Sequence, residues 1–152
     1  LGNVRKKFDA AGQAAGRENL SAIAWEGGIN WKPLSYSSVD FITQRTSIDS
    51  TWLGNFTMNQ SNLVQWTHAW NSRFTSILTG SYWNDKFSNA PVAAAGGADR
   101  NDTSKLFGLR LTYNLQRWLN IGAEYSYTVR DSNDNNFDYK RNQLMFLLSA
   151  TL

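Results

Sequence analysis

Apolar and polar residues alternate with a period of two through most of the chain. The pattern is cleanest over residues 118–130. There Leu119, Ile121, Ala123, Tyr125, Tyr127 and Val129 fall on one face, and Asn120, Gly122, Glu124, Ser126 and Thr128 fall on the other. Strict alternation over this length predicts a strand with two unlike faces. Phe107, Leu109, Leu111 and Tyr113 alternate in the same way with Gly108, Arg110, Thr112 and Asn114. The short connection 114–117 joins these two runs into a hairpin.

Similar runs occur elsewhere. Leu144, Phe146, Leu148, Ala150 and Leu152 share one face of a C-terminal strand, and Gln143, Met145, Leu147, Ser149 and Thr151 the other. Near the start, Ile23, Trp25, Ile29 and Trp31 alternate with Ala22, Ala24, Glu26, Gly28 and Asn30. Phe74, Leu78 and Tyr82 set one face of a strand over 73–83, and Val64, Trp66 and Trp70 one over 63–71. Residues 38–49 read as a strand whose faces the pattern leaves open, and 1–8 as an eighth strand.

The predicted connections run long, short, long, short. The long ones are 9–19, 50–62, 84–104 and 131–141; the short ones are 32–35, 71–72 and 114–117. Outer-membrane barrels have this asymmetry, with short periplasmic turns and long extracellular loops. The expected fold is therefore all-β: one domain over 1–152, an antiparallel up-and-down transmembrane β-barrel of about eight strands, or the C-terminal part of a larger barrel. With long loops outside, the last strand descends and both termini lie on the periplasmic side. The expected location is the bacterial outer membrane.

Composition fits this once the spanning element is a strand. Only 41% of residues are hydrophobic, and the mean hydropathy is −0.47. No run approaches the roughly 20 apolar residues a spanning helix needs. A spanning strand needs about 10 residues with every second one apolar. No cysteine is present, which excludes disulfides and thiolate metal sites. Aromatic residues make up 14%, with seven Trp. They gather towards strand ends, as interfacial girdles do. Trp31, Trp70, Phe74 and Tyr113 lie near short turns, and Tyr82, Trp83, Phe107 and Tyr127 near long connections. The net charge is +3, and Arg5-Lys6-Lys7 is the only basic cluster. It reads as a strand end meeting a loop, so no nucleic-acid partner is expected. The chain does not begin with Met and carries no signal peptide. A barrel of this kind would need one, so it is expected to have been removed, or the chain to be a fragment.

A soluble up-and-down barrel would alternate too, with its apolar face inward. The girdles, the loop asymmetry and charged residues beside small ones on the polar face favour the membrane barrel. The candidate lumen residues are Glu26, Asn30, Arg110, Asn120, Glu124 and Arg130. In an isolated eight-stranded barrel paired charges would plug the interior. In a larger one the same residues would line a channel.

The last forty residues carry a resemblance. Tyr113-Asn114, Trp118-Leu119, Gly122, Tyr125-Ser126-Tyr127, then Arg130-Asp131-Ser132-Asn133 and Asp138-Tyr139-Lys140-Arg141-Asn142 resemble the C-terminal hairpins of one family. It is the outer-membrane β-barrel family associated with exopolysaccharide biosynthesis, called putative β-barrel porin 2. Trp31-Lys32-Pro33 followed by Ser37 is similar to that family's strand–turn–strand unit. The resemblance implies the C-terminal part of a larger barrel, or a trimmed one, and a role in polymer export or in organising an export complex. The terminal Leu152 departs from the Phe that outer-membrane barrels commonly carry there.

Other motifs have bland readings. His68 is the only histidine. With Ser72 or Ser76 it could be imagined as a lipid hydrolase pair, but no spacing demands this. It reads as an interfacial histidine beside Trp66 and Trp70. Residues 131–136 begin like a calcium loop, yet Asn136 and Asn142 stand where glycine and a bidentate glutamate are expected. A polar, turn-rich loop is the simpler reading. Residues 93–98 are small and uncharged, and read as a loop tip. No catalytic residue, metal or cofactor is expected. The expected partners are membrane lipids and lipopolysaccharide, with polysaccharide or export-complex proteins. The alternatives to a channel are a structural or adhesive barrel acting through its loops and, less favoured, a lipid-modifying enzyme.

Overall fold

The structure, a computed structural model, describes residues 1–14, 19–49, 56–92 and 96–151. Eight strands form one antiparallel sheet in sequence order. They are β1 (Gly2–Lys6), β2 (Leu20–Leu34), β3 (Ser37–Asp49), β4 (Phe56–Ala69), β5 (Phe74–Val92), β6 (Ala98–Gln116), β7 (Leu119–Ser132) and β8 (Tyr139–Ala150). One short helix, α1 (Ala10–Ala14), follows β1, and a single 3-10 turn, Asn135–Phe137, precedes β8. The sheet is not closed among the described residues: β1 and β8 are its edges. An all-β, up-and-down sheet of eight strands is thus the fold the alternation predicted.

Tight turns join the strands at one end. Asn71 sets one of them, its Oδ1 accepting from the backbone N–H groups of Arg73 and Phe74 at 2.8 and 2.9 Å, a self-capping use of asparagine. Both prolines stand at irregular places in the pairing. Pro33 lies in the register shift between Trp31 and Leu34, and Pro91 at the shift after Lys86. Proline has no N–H to give a ladder, so bulges are where strands tolerate it.

Three expectations about the other end need correction. Residues 84–104 were expected as the longest loop, but β5 and β6 run to Val92 and from Ala98. Pairing continues through Asn84↔Thr103, Asp85↔Asp102 and Lys86↔Asn101. These short polar residues look like loop in sequence, yet they bond across strands: Asn84 Nδ2 donates to Asn101 Oδ1 and Thr103 Oγ1, and Asn59 Nδ2 to Asp85 Oδ1. The expected loop 50–62 is likewise strand from Phe56 onward. Residues 50–55, 15–18 within the loop expected at 9–19, 93–95 of the expected tip, and Leu152 lie outside the described residues. Finally, β1 ends at Lys6, opposite Leu20, where 1–8 was expected as strand.

Candidate functional site

Cross-strand partners lie on the same side of a sheet, so the register assigns every strand to two faces. One face collects Ile29 and Trp31 with Phe41, Val64 and Trp66, then Leu78, Leu109 and Leu111, Ile121 and Ala123, and Phe146 and Leu148. It includes Val39 and Phe41 of β3, whose sides the sequence left open. The apolar face is the more exposed of the two: Trp31 is 61%, Leu148 75% and Phe146 82% accessible. On the polar face Asp102 and Ser104 are fully buried and Thr128 is 1% accessible. A soluble barrel would shelter its apolar face; here small polar residues occupy the sheltered side.

All six lumen candidates share the polar face. Arg110 and Glu124 are direct cross-strand partners, and the Arg110 Nε donates to Glu124 Oε2 at 2.6 Å. Asn30 donates to Asp40 across β2 and β3. Arg130 donates through Nε to Ser104 Oγ at 3.2 Å. Glu26 lies opposite Gln44, and Asn120 between Asn114 and Ser149. The six therefore do not converge on one point; they spread over a polar wall.

At the upper end of that wall, β6, β7 and the 3-10 turn build a cluster that sequence reading missed. Asp102, five residues beyond Phe107, accepts from Arg100 at 2.6 Å and from Ser132 Oγ at 2.6 Å. Arg130 Nη1 lies 3.9 Å from the same carboxylate. Burial by itself would push the Asp102 carboxyl up. The hydrogen bonds from Arg100 and Ser132, with the charges of Arg100 and Arg130, outweigh it and hold the carboxyl below its ordinary value. The Arg100 guanidinium is flanked by the Phe87 and Phe137 rings, 4.1 and 3.5 Å from their centroids, a cation–π arrangement. The clue was available only once 98–104 was known to be strand.

The aromatic residues expected at strand ends fall mostly on one face of the sheet. Trp31, Phe74 and Tyr113 lie on the apolar face at the level of the tight turns, and Tyr82, Phe107 and Tyr127 on the same face higher up. Trp70, in the β4–β5 turn, donates its Nε1 hydrogen to Ser76 Oγ at 2.9 Å. Trp83 is the exception. It pairs with Ser61 and Ser104 on the polar face, because a residue adjacent to Tyr82 must point the opposite way.

His68 sits among Trp66, Trp70 and Tyr36, with ring centroids 5.3, 4.5 and 5.4 Å away. Ser76 is its cross-strand partner, but the Ser76 hydroxyl is taken by Trp70, and no hydrogen bond joins it to the imidazole. Ser72 is exposed in the turn. This is an interfacial aromatic cluster, not a nucleophile–base pair. In the 131–136 segment, Asp134 Oδ1 accepts from the backbone N–H of Asn136 at 3.1 Å, and Asp138 Oδ1 from that of Ser132 at 2.6 Å. These two carboxylate oxygens fix the backbone of the turn. Among the described residues no three His, Cys, Asp or Glu side chains gather to hold a metal ion.

A family profile described as putative beta-barrel porin 2 matches residues 5–151. No curated protein and no solved structure matches the chain.

Proposed function

Since the chain belongs to the putative beta-barrel porin 2 family, we propose that it forms wall of a non-enzymatic channel in the bacterial outer membrane, with the apolar face in lipid and the polar face bordering water. We propose further that the path serves export of an exopolysaccharide. The observation that carries the reading is the separation of the two faces. One exposes Phe146, Leu148 and Ile29, while the other holds hydrogen-bonded Arg, Glu, Asn and Asp. Exposed apolar surface of this extent is costly in water and natural in a bilayer.

Cations support the orientation. Arg45, Lys86, Lys105 and Lys140 belong to the apolar face but stand at or above the level of Tyr82. There they would meet the phosphates of lipopolysaccharide, so the long β5–β6 hairpin would be extracellular. Amides and hydroxyls such as Gln44, Gln65, Thr79 and Ser126 dominate much of the polar wall, which suits a hydroxyl-rich polymer. The full chain reconstituted in planar bilayers is expected to give stepwise conductance. A structural barrel is the second reading, favoured by the Arg110–Glu124 pair, which can fill an interior instead of lining one. Lipid insertion without conductance would select it and remove the channel.

A further inference from the structure

One cross-strand row on the polar face has no apolar side chain over five strands: Gln65, Thr79, Gly108, Ser126 and Gln143. It forms a groove of about 410 Å³. Gly108 contributes no side chain to its floor; a Cβ there would be in ordinary contact with Thr79 Cβ, at 3.6 Å. Arg110 and Glu124 bound it below, and Arg141 stands on the side towards the extracellular end. Ile77 and Leu106 supply apolar patches within it.

In this groove Gln143 Nε2 donates to Met145 Sδ at 3.1 Å and Arg110 pairs with Glu124, while the other polar groups are free. The side chains of Gln65, Thr79, Ser126 and Arg141 make no hydrogen bond or ion pair with any described residue. Both guanidinium contacts of Arg110 fall on Oε2 of Glu124, leaving Oε1 as an open acceptor. The groove holds two guanidinium groups and one carboxylate, an excess of one positive charge, and Arg141 carries it.

We propose that this groove is a binding subsite for an acidic sugar unit within an oligo- or polysaccharide; the proposal rests on the reading of the polar face as the wall of a water-filled path. Arg141 takes the sugar carboxylate in the paired N–H geometry that guanidinium groups offer. The Gln65 and Gln143 amides, the Thr79 and Ser126 hydroxyls and Glu124 Oε1 exchange hydrogen bonds with ring hydroxyls. Ile77 and Leu106 meet the C–H face of the ring. The chemistry selects a uronate-type sugar over a neutral one through a single charge.

Isothermal titration of the full chain in detergent tests this, with trigalacturonate and maltotriose as probes. Trigalacturonate is expected to bind at least about tenfold more tightly, a difference of about 1.4 kcal/mol. Arg141→Gln should remove that preference. Lys105→Gln, the same loss of charge on the apolar face, should leave it intact. Raising the salt to about 1 M, where the Debye length shrinks to about 3 Å, should weaken trigalacturonate more than maltotriose. Equal affinity for the two sugars, or equal effects of the two substitutions, would overturn the subsite. Conductance, recorded separately, tests the channel. A chain that binds trigalacturonate without conducting keeps the subsite and loses the channel; one that conducts without binding does the reverse.

Discussion

Replacing Leu78 with arginine tests the lipid face where it should be least tolerant. Leu78 lies on the apolar face of β5, four residues from Phe74 and four from Tyr82, the lower and upper aromatic levels. At about 3.4 Å per residue and a tilt near 40°, typical of such barrels, it sits about 10 Å from each level along the membrane normal. The two levels are then about 21 Å apart, close to the roughly 25 Å apolar band of outer-membrane barrels. An arginine at that depth costs roughly 2–4 kcal/mol. Thr79 is the matched control: it is one residue away at the same depth, but on the polar face opposite Gly108. Thr79→Arg gains water and the nearby Glu124 carboxylate. Urea unfolding of both variants, refolded in vesicles of matched thickness, should show Leu78→Arg less stable than Thr79→Arg by at least about 1 kcal/mol, half the lower midplane cost. Equal losses would mean that the two faces meet the same solvent, and the membrane assignment would fall.

Three further outcomes are expected. A Cβ at Gly122 would lie 2.8 Å from the Leu111 carbonyl oxygen, so Gly122→Ala should cost about 1–3 kcal/mol by overpacking; at Gly80, where nothing lies within 4 Å, alanine should stay within about 0.5 kcal/mol in the same unfolding assay. The Asp102 carboxyl is held below its ordinary value, so its stabilisation is present above the unfolded value of about 3.9 and is lost as pH falls through the lower folded value. Amide exchange of 99–103 and 131–138 should accelerate in that acid range, and Asp102→Asn should make those segments exchange faster at neutral pH with a flatter acid limb. His68→Ala should cost about 0.5–1.5 kcal/mol of aromatic contact and leave phospholipid turnover unchanged; a hydrolysis rate that disappears with His68 would revive the enzyme reading.

The fold was legible because alternation is a property of single strands. From Phe107 to Asn114 and from Asn120 to Val129 each residue's side could be read from its parity, and the register confirms it. The strand ends were not legible. Asn84, Asp85, Asn101 and Asp102 look like loop because each is a short polar residue that favours turns. Their cross-strand partners lie 15 to 19 positions away, and only pairing brings such residues together, as in the bond from Asn84 to Asn101. The candidate site shows the same division. Arg110, Glu124, Gly108, Ser126 and Gln143 could be assigned to strand faces from sequence, while Arg141, expected in a loop, and the cross-strand row these residues form could not. Trp83 failed for a different reason: proximity to a strand end was allowed to override parity.

β8 shows why pairs, and not single strands, carry the remaining information. Its polar-face positions Met145 and Leu147 are apolar, which breaks the two-faced pattern. Leu147 lies opposite Gly122, and a Cβ on Gly122 would be 3.6 Å from Leu147 Cβ and Cδ1. The leucine therefore covers the space the glycine leaves, as alternating large and small residues do in barrel interiors. Met145 lies opposite Glu124, which bonds Arg110 on its other side. Two rows further towards the upper end the same strand presents Gln143 and Arg141 instead. Along four successive polar-face positions, β8 thus passes from two apolar side chains to two polar ones. The apparent error in alternation thus falls where a leucine meets a glycine across the pair, and the alternation resumes at Gln143 and Arg141.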